Sequence, residues 1–532
     1  MKKANLAYGF TAVDPTEIFW SEDLMQSSDS FVFRFDHIQA ILPPDFGSHV
    51  PKLGLIDPAF LPEADGPAFV TASAAPGTPV APQPGFSGPI FDPAGGNGWY
   101  PPDNALAVGA HAVLSAVNNW IQISDLTGAS AQSESLFTFF KSATASDPSF
   151  FLTDPRAVVD PLTHRFTLSV DEVLTNSSGA VIGSNLLVAR SNSDIMPGAA
   201  GGIDDFAQWS FTKISTTFKE FGGLIKTWAD QPNVISLGNY YLESSNQFTT
   251  SGSYFNTKLI VGQYDSSSPA AVKTVTTPSE AWAAINSNSA YAVSYTHDSK
   301  HDISIMKVTT SPNVSFGSAT LVSLGTLDKG SGGYTIAQYG TTTKLDGGDG
   351  RITGAAFDAA HNKLYVTFEG QHGTDGKVGA LWAQIDMGTK SVTASGSLND
   401  VAGLSTTSGA TTFNASVAVD STTGDVVFNF NTSRPNASAS DVNRFVTGDF
   451  AVWHNGSSSS TMQDHVYQTS QDFYIDPSNG ATSRWGDYSS VVANGGTFWA
   501  SIEYENGSVT GSSGNTYHSW GTAIYHDAIL MA

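Results

Sequence analysis

The chain has 532 residues, no cysteine and a formal net charge of −24 at pH 7. Its 40% apolar and 11% aromatic content is enough buried surface to offset the entropy of ordering a backbone, which excludes a disordered chain. Disulfides and thiolate metal sites are excluded outright, and an acidic balance with no basic patch argues against nucleic acid or anionic lipid as partners.

No apolar run approaches the roughly 20 residues that cross a bilayer, so the sequence does not read as membrane-spanning. Charged residues are only 14%, and Ser, Thr, Asn and Gly supply the polar surface, which suits strands and turns better than helices. The N-terminus starts Met1, Lys2, Lys3 but lacks the apolar core of a signal peptide. A cleavable leader is therefore not expected, and a C-terminal signal is the alternative route, without the Gly-Gly-x-Gly-x-Asp repeats that often accompany it. The absence of cysteine fits bacterial exported chains, and an extracellular or cell-surface location is expected.

Residues 1–95 read as an irregular arm. One short strand is expected at 31–35, followed by a Pro/Gly/Ala-rich stretch over 58–102, where prolines remove ladder donors and favour extended chain. Residues 96–532 read as one repeating domain. A short apolar strand, a turn rich in Asp, Asn, Gly or Pro, and a second alternating strand recur seven times. The pairs are 105–108 with 112–117, 157–159 with 166–170, 234–237 with 240–242, 282–285 with 290–295, 352–357 with 363–368, 415–419 with 425–430, and 488–492 with 497–504.

Further strands are expected after these hairpins, among them 120–124, 186–189, 258–264, 303–308, 380–385 and 450–453. Three or four strands every 50 to 75 residues, with almost no helical periodicity, predict an all-β fold. The favoured architecture is a β-propeller with seven blades over six or eight, because radial repetition leaves few exposed edges. Two stacked sandwiches fit the direct strand-turn-strand repeat less well.

Three segments carry a resemblance. They are PPDNALAVG at 101–109 leading to Val117 and Asn118, DPR at 154–156, and RWGDYS at 484–489 leading to Phe498, Trp499, Glu503 and Tyr504. Together they resemble the bacterial secreted β-propeller proteins of largely uncharacterised function. The resemblance implies a propeller outside the cytoplasm and carries no settled chemistry. The long Pro-rich arm and the blade lengths depart from the family.

The residues leading each first strand are the candidates for function, because propeller geometry brings them to one mouth of the central channel. They include Asp103, Asp154, Arg156, Asp230, Asp349, Arg351, Asn414, Arg484 and Asp487. Three of the eight arginines in the chain fall here. Arg156, Arg351 and Arg484, with Trp485 and Asp230, form a candidate substrate-binding set, since arginines grip carboxylates bidentately.

Catalytic candidates are Asp103, Asp154 and Asp487 as acids, Tyr488 or Tyr504 as a nucleophile, and Glu503 as its assistant, on the pattern of a sialidase-like glycoside hydrolase or a lyase. The Asp-box repeat and the Arg-Ile-Pro motif of such enzymes are missing. Packing between blades is the competing role for the arginines, and also for Trp120, Trp282, Trp453, Trp485 and Trp499, which otherwise suit stacking on sugars. Asp346 and Asp349, in a Gly-rich loop, are the candidate ligands for calcium, the one cofactor the sequence suggests.

His297 and His301 sit in an expected hairpin tip, where solvated loop residues are the ordinary outcome. The first functional reading is an extracellular binding or assembly module, with a glycan or cell-wall polymer as partner, or a second copy engaged through the arm. The second is a carbohydrate-active enzyme working at the channel mouth.

Overall fold

In the computed structural model, residues 85–90 are described, and from 100 to 528 all but 130, 145–148, 193–207, 278–280, 297–301, 329–333, 349, 373–376, 405–408, 477–480, 495 and 511–515. The strand expected at 31–35, Asp349, His297 and His301 lie outside the described residues.

Among the described residues, seven antiparallel sheets of four or five strands follow one another along the chain. Their first long strands are Ala105–Val108, Phe150–Val159, Ile225–Leu237, Ala281–Asn286, Ile352–Asp358, Thr411–Val419 and Ser490–Asn494. Each packs on the next, and the seventh packs on the first, so these strands form a closed inner ring. All seven hairpins expected from sequence are present. The fold is a β-propeller.

Each strand has two buried faces because a neighbouring sheet covers each one. In Lys363–Gln371 of the fifth sheet, Leu364, Val366 and Phe368 pack toward the fourth sheet while Tyr365 packs toward the sixth. The period-2 alternation of a strand thus divides one sequence between two cores. Every neighbouring pair has such a core, including the pair that closes the ring, where Leu106, Val108 and Val113 meet Trp499 and Ile524.

Turn chemistry supports the same arrangement. Asp160 and Asp420 each accept two turn amides on one carboxylate oxygen, from Leu162 and Thr163 and from Thr422 and Thr423. Their second oxygens reach the next sheet, at the Gly238 and Gly496 amides. One aspartate therefore both forms a turn and ties two sheets.

The last sheet is completed by the strand Phe86–Ile90, which pairs with Thr516–Ala528 at the opposite end of the chain. This strand lies inside the segment read from sequence as the arm. Thr522 donates its hydroxyl to the Pro89 carbonyl, and Phe86 packs edge-on against Trp499. Without it, Thr516–Ala528 would be a long unpaired edge. A chain starting at residue 92 is expected to unfold at a temperature several degrees lower and to scatter more light as its concentration rises. Full-length thermal behaviour in that truncation would show that this pairing contributes nothing to closure.

Candidate functional site

Four of the residues leading an inner strand adopt the left-handed region: Asp103 (φ 48°), Asp154 (φ 54°), Gln231 (φ 56°) and Asn414 (φ 56°). Three of them sit at register shifts, between Thr153 and Arg156, Asp230 and Asn233, and Phe413 and Ser416. Such bulges re-aim side chains, here toward the ring centre. Asp and Asn tolerate the conformation through their short polar side chains, and Gln231 holds it with both ends of its amide engaged.

Hydrogen bonds then join these residues around the mouth. Asn118 donates to a carboxylate oxygen of Asp103 at 2.6 Å, and its own oxygen accepts the Asp154 amide at 2.7 Å. Asp154 accepts the Gln231 amide at 3.1 Å, and the Gln231 side chain donates to Asp487 at 3.0 Å. Asp103 accepts the Asp487 amide at 2.7 Å. Residues up to 384 positions apart in sequence thus meet in one network.

The arginines lie among these acids. Arg484 contacts Asp487 at 3.2 Å, and the two side chains retain 14% and 17% exposure, so the mouth is enclosed but reached by water. Burial works against the Arg484 charge, but Asp487, Asp103, Asp346 and Asp154 outweigh it and hold the guanidinium charged more firmly than an ordinary arginine. Arg156 donates to the Pro232 carbonyl at 2.9 Å and lies flat over Tyr488, 3.2 Å from the ring centre. A desolvated contact of this kind contributes about 2 kcal/mol. Arg351 is close enough that its charge favours the ionised form of Asp230.

Burial pushes the carboxyls the other way. Asp103 and Asp154 are raised well above the usual range, first by desolvation and then by neighbouring carboxylates. Asp230 is pushed up to about 6 by burial, against a hydrogen bond from Asp154 that lowers it. Glu503 is raised by burial, although the Gly486 amide bonds it at 2.6 Å. Tyr488 is raised by burial despite Arg156, and its hydroxyl donates to the Pro155 carbonyl at 2.8 Å.

Two long connections build a cap beside the mouth. The strands Thr335–Ile336, Lys344–Asp346 and Thr482–Ser483 form a small sheet, and Gln338 bonds both the amide and the carbonyl of Tyr474. Beneath it, Trp485 is 1% exposed among Tyr100, Phe413 and Tyr474 and donates its indole N–H to Asn431. Asp346 receives the Gly348 amide in a turn and faces Arg484 electrostatically.

The structure brings together Asp103, Asp154, Arg156, Asp230, Arg351, Arg484, Asp487, Tyr488 and Glu503 from the sequence-derived set. Tyr504 points away from Glu503, since adjacent strand residues face opposite sides, and its ring covers Gly521. Trp282, Trp453 and Trp499 are buried between sheets, and Trp120 is half-buried.

Sequence reasoning missed the Gln231 side chain, Asp171 and Glu243. The first had a readable signal, because Gln231-Pro232 repeats the Asp154-Pro155 arrangement one sheet later. The other two sit in the middle of second strands, where only the packing of sheet on sheet reveals them.

No protein-family model matches this chain, and no curated protein matches it. Solved structures do. The chain is similar to the Dos1 propeller, at 10% identity and a TM-score of 0.34, with 81% of each chain covered. It is similar to the β-propeller domain of the Trilobed protease from Pyrococcus furiosus, at 8% identity and TM-score 0.36, over 80% of this chain and 96% of that one. It is also similar to the phage phi92 endosialidase, at 9% identity and TM-score 0.39, over 81% and 68%. These likenesses concern the fold alone.

The raised carboxyl of Glu503 has a consequence for stability. An acid whose folded pKa lies above its ordinary value of 4.5 loses stabilisation as pH rises from that value, because the folded state retains the proton that the unfolded state releases. Glu503→Gln keeps an acceptor for Gly486 and removes the titration. Its stability relative to the native chain is expected to be near parity at pH 4.5 and to improve by pH 8, read from urea midpoints at both pH values. A gap that stays constant with pH would mean that Glu503 is ionised in the folded chain.

Proposed function

We propose that this protein is an exported β-propeller that works outside the cytoplasm as a binding or assembly module, with the channel mouth as its recognition surface. The observation that carries the reading is that Arg156 and Arg484 are engaged within the protein. Arg484 is paired with Asp487, and Arg156 is stacked on Tyr488 and bonded to a backbone carbonyl. Both guanidiniums are thereby committed to partners within the protein, which disfavours a bidentate grip on a ligand carboxylate.

The ligand chemistry that suits such a mouth is neutral and rich in hydroxyls, as in a neutral glycan or a cell-wall polymer. Side-chain amides and carboxylates at a partly wet opening offer hydrogen bonds without selecting for charge. The Tyr488 hydroxyl, which a retaining hydrolase of this kind would use as nucleophile, is bonded to the Pro155 carbonyl, and one carboxyl oxygen of Glu503 accepts the Gly486 amide, which supports packing roles for both. The N-terminal arm is proposed as the contact to a second copy or to the polymer.

The test is a panel of neutral and acidic glycans assayed for both binding and released sugar. Binding to neutral members without product is expected. Gln231→Ala should weaken it about tenfold, the equivalent of one hydrogen bond of about 1.4 kcal/mol. Sugar released from an acidic glycan would replace the binding reading with the enzymatic one, and silence across the panel would remove the mouth as a glycan surface.

A further inference from the structure

Between the second and third sheets, just below the mouth, Asp154, Asp171 and Asp230 each present a carboxylate oxygen, and the three atoms all lie within 4.8 Å of one another. They reach this point from different directions. Asp154 is the left-handed residue at the bulge of Phe150–Val159, Asp171 stands in the middle of Phe166–Thr175, and Asp230 sits at the bulge of Ile225–Leu237. Glu243, on the second strand of the third sheet, stands beside Asp171 and is fully buried.

Asp171 marks the cluster as a site. It is 0% exposed, and among the described residues neither of its carboxylate oxygens has a hydrogen-bond partner. The hydroxyl of Ser169, two residues earlier on the same face of the strand, is also buried and has no partner among the described residues. Buried polar groups in native proteins are almost always satisfied by protein, water or an ion, and a carboxylate left bare is among the most costly exceptions. Arg351 acts on Asp230 from the mouth, but the charges acting on Asp171 are those of Glu243, Asp154 and Asp230, all acidic.

We infer that Asp154, Asp171 and Asp230, with Glu243 beside them, hold a divalent cation that clamps the second sheet to the third. The donor set is all oxygen, which selects a hard ion. Oxygens bound about 2.4 Å from calcium lie no more than about 4.8 Å apart, a limit that the three atoms satisfy, and calcium accepts the irregular arrangement of a mixed-strand cluster more readily than octahedral magnesium. Asp230 retains partial exposure, so the ion enters from the channel. The inference is independent of the glycan reading, because the clamp requires no ligand at the mouth.

The test uses the full chain freed of metal with a chelator. Calcium is titrated by calorimetry, and terbium emission is excited through Trp228, two residues from Asp230 and about 7 Å away along the strand. Calcium at a hundredfold over its dissociation constant is expected to raise the unfolding midpoint by about 3 °C. Asp171→Asn should lower calcium affinity at least tenfold and remove most of the terbium signal, while Asp346→Asn leaves both intact. If Asp171→Asn fails to fold, Asp230→Asn should show the same tenfold loss. A native chain that binds neither ion at millimolar concentration would overturn the assignment, as would unaltered affinity in the folded Asp171 or Asp230 variant.

Discussion

The structure depends on the covering of every sheet face by the next sheet. A sheet that is apolar on both sides cannot stand alone in water, and stacking in a line would leave two bare faces at the ends. Closing the stack into a ring removes both. The join falls where Leu106, Val108 and Val113 meet Trp499 and Ile524, and the strand from residue 86 completes the sheet on the far side of it. The first described segment and the last are thereby held in one ladder, so closure is covalent on one side and hydrogen-bonded on the other.

Closure also creates the charged centre. Inner strands that pack side by side must bring their leading residues together, and here those residues are mostly acids and arginines. Most of the acids are raised by desolvation, and the arginines sit where several carboxylates act on one guanidinium. Exchanging such a network for apolar packing is often neutral in energy, whereas removing a single member leaves a buried charge without compensation and costs about 3–5 kcal/mol. The network therefore sets the alignment of the second, third and seventh sheets with the first more than it adds net stability.

The left-handed residues are the local device that makes this possible. An ordinary strand would point alternate side chains into the two flanking cores. The extra residue at three bulges turns Asp154, Gln231 and Asn414 aside so that their backbone amides bond neighbouring sheets, and Asp103 takes the same conformation just ahead of its strand. The local cost of positive φ, of order 1 kcal/mol or more at each position, is offset by amides that would otherwise be buried without partners.

Much of this was legible in the chain itself. Alternating apolar pairs separated by Asp- and Gly-rich turns specify hairpins through local physics alone, and their sevenfold recurrence specifies radial stacking, so each hairpin lies where the pattern placed it. The polar leading residues were legible too, because residues such as Asp154 and Arg484 stand at the same point of each repeat. Tertiary structure decided the rest. Whether Trp485 faces solvent or a core, whether Tyr504 shares a side with Glu503, and whether Asp171 meets Asp230 all depend on the register of one sheet against another. That register is set by contacts between residues far apart in sequence, and no local pattern encodes it.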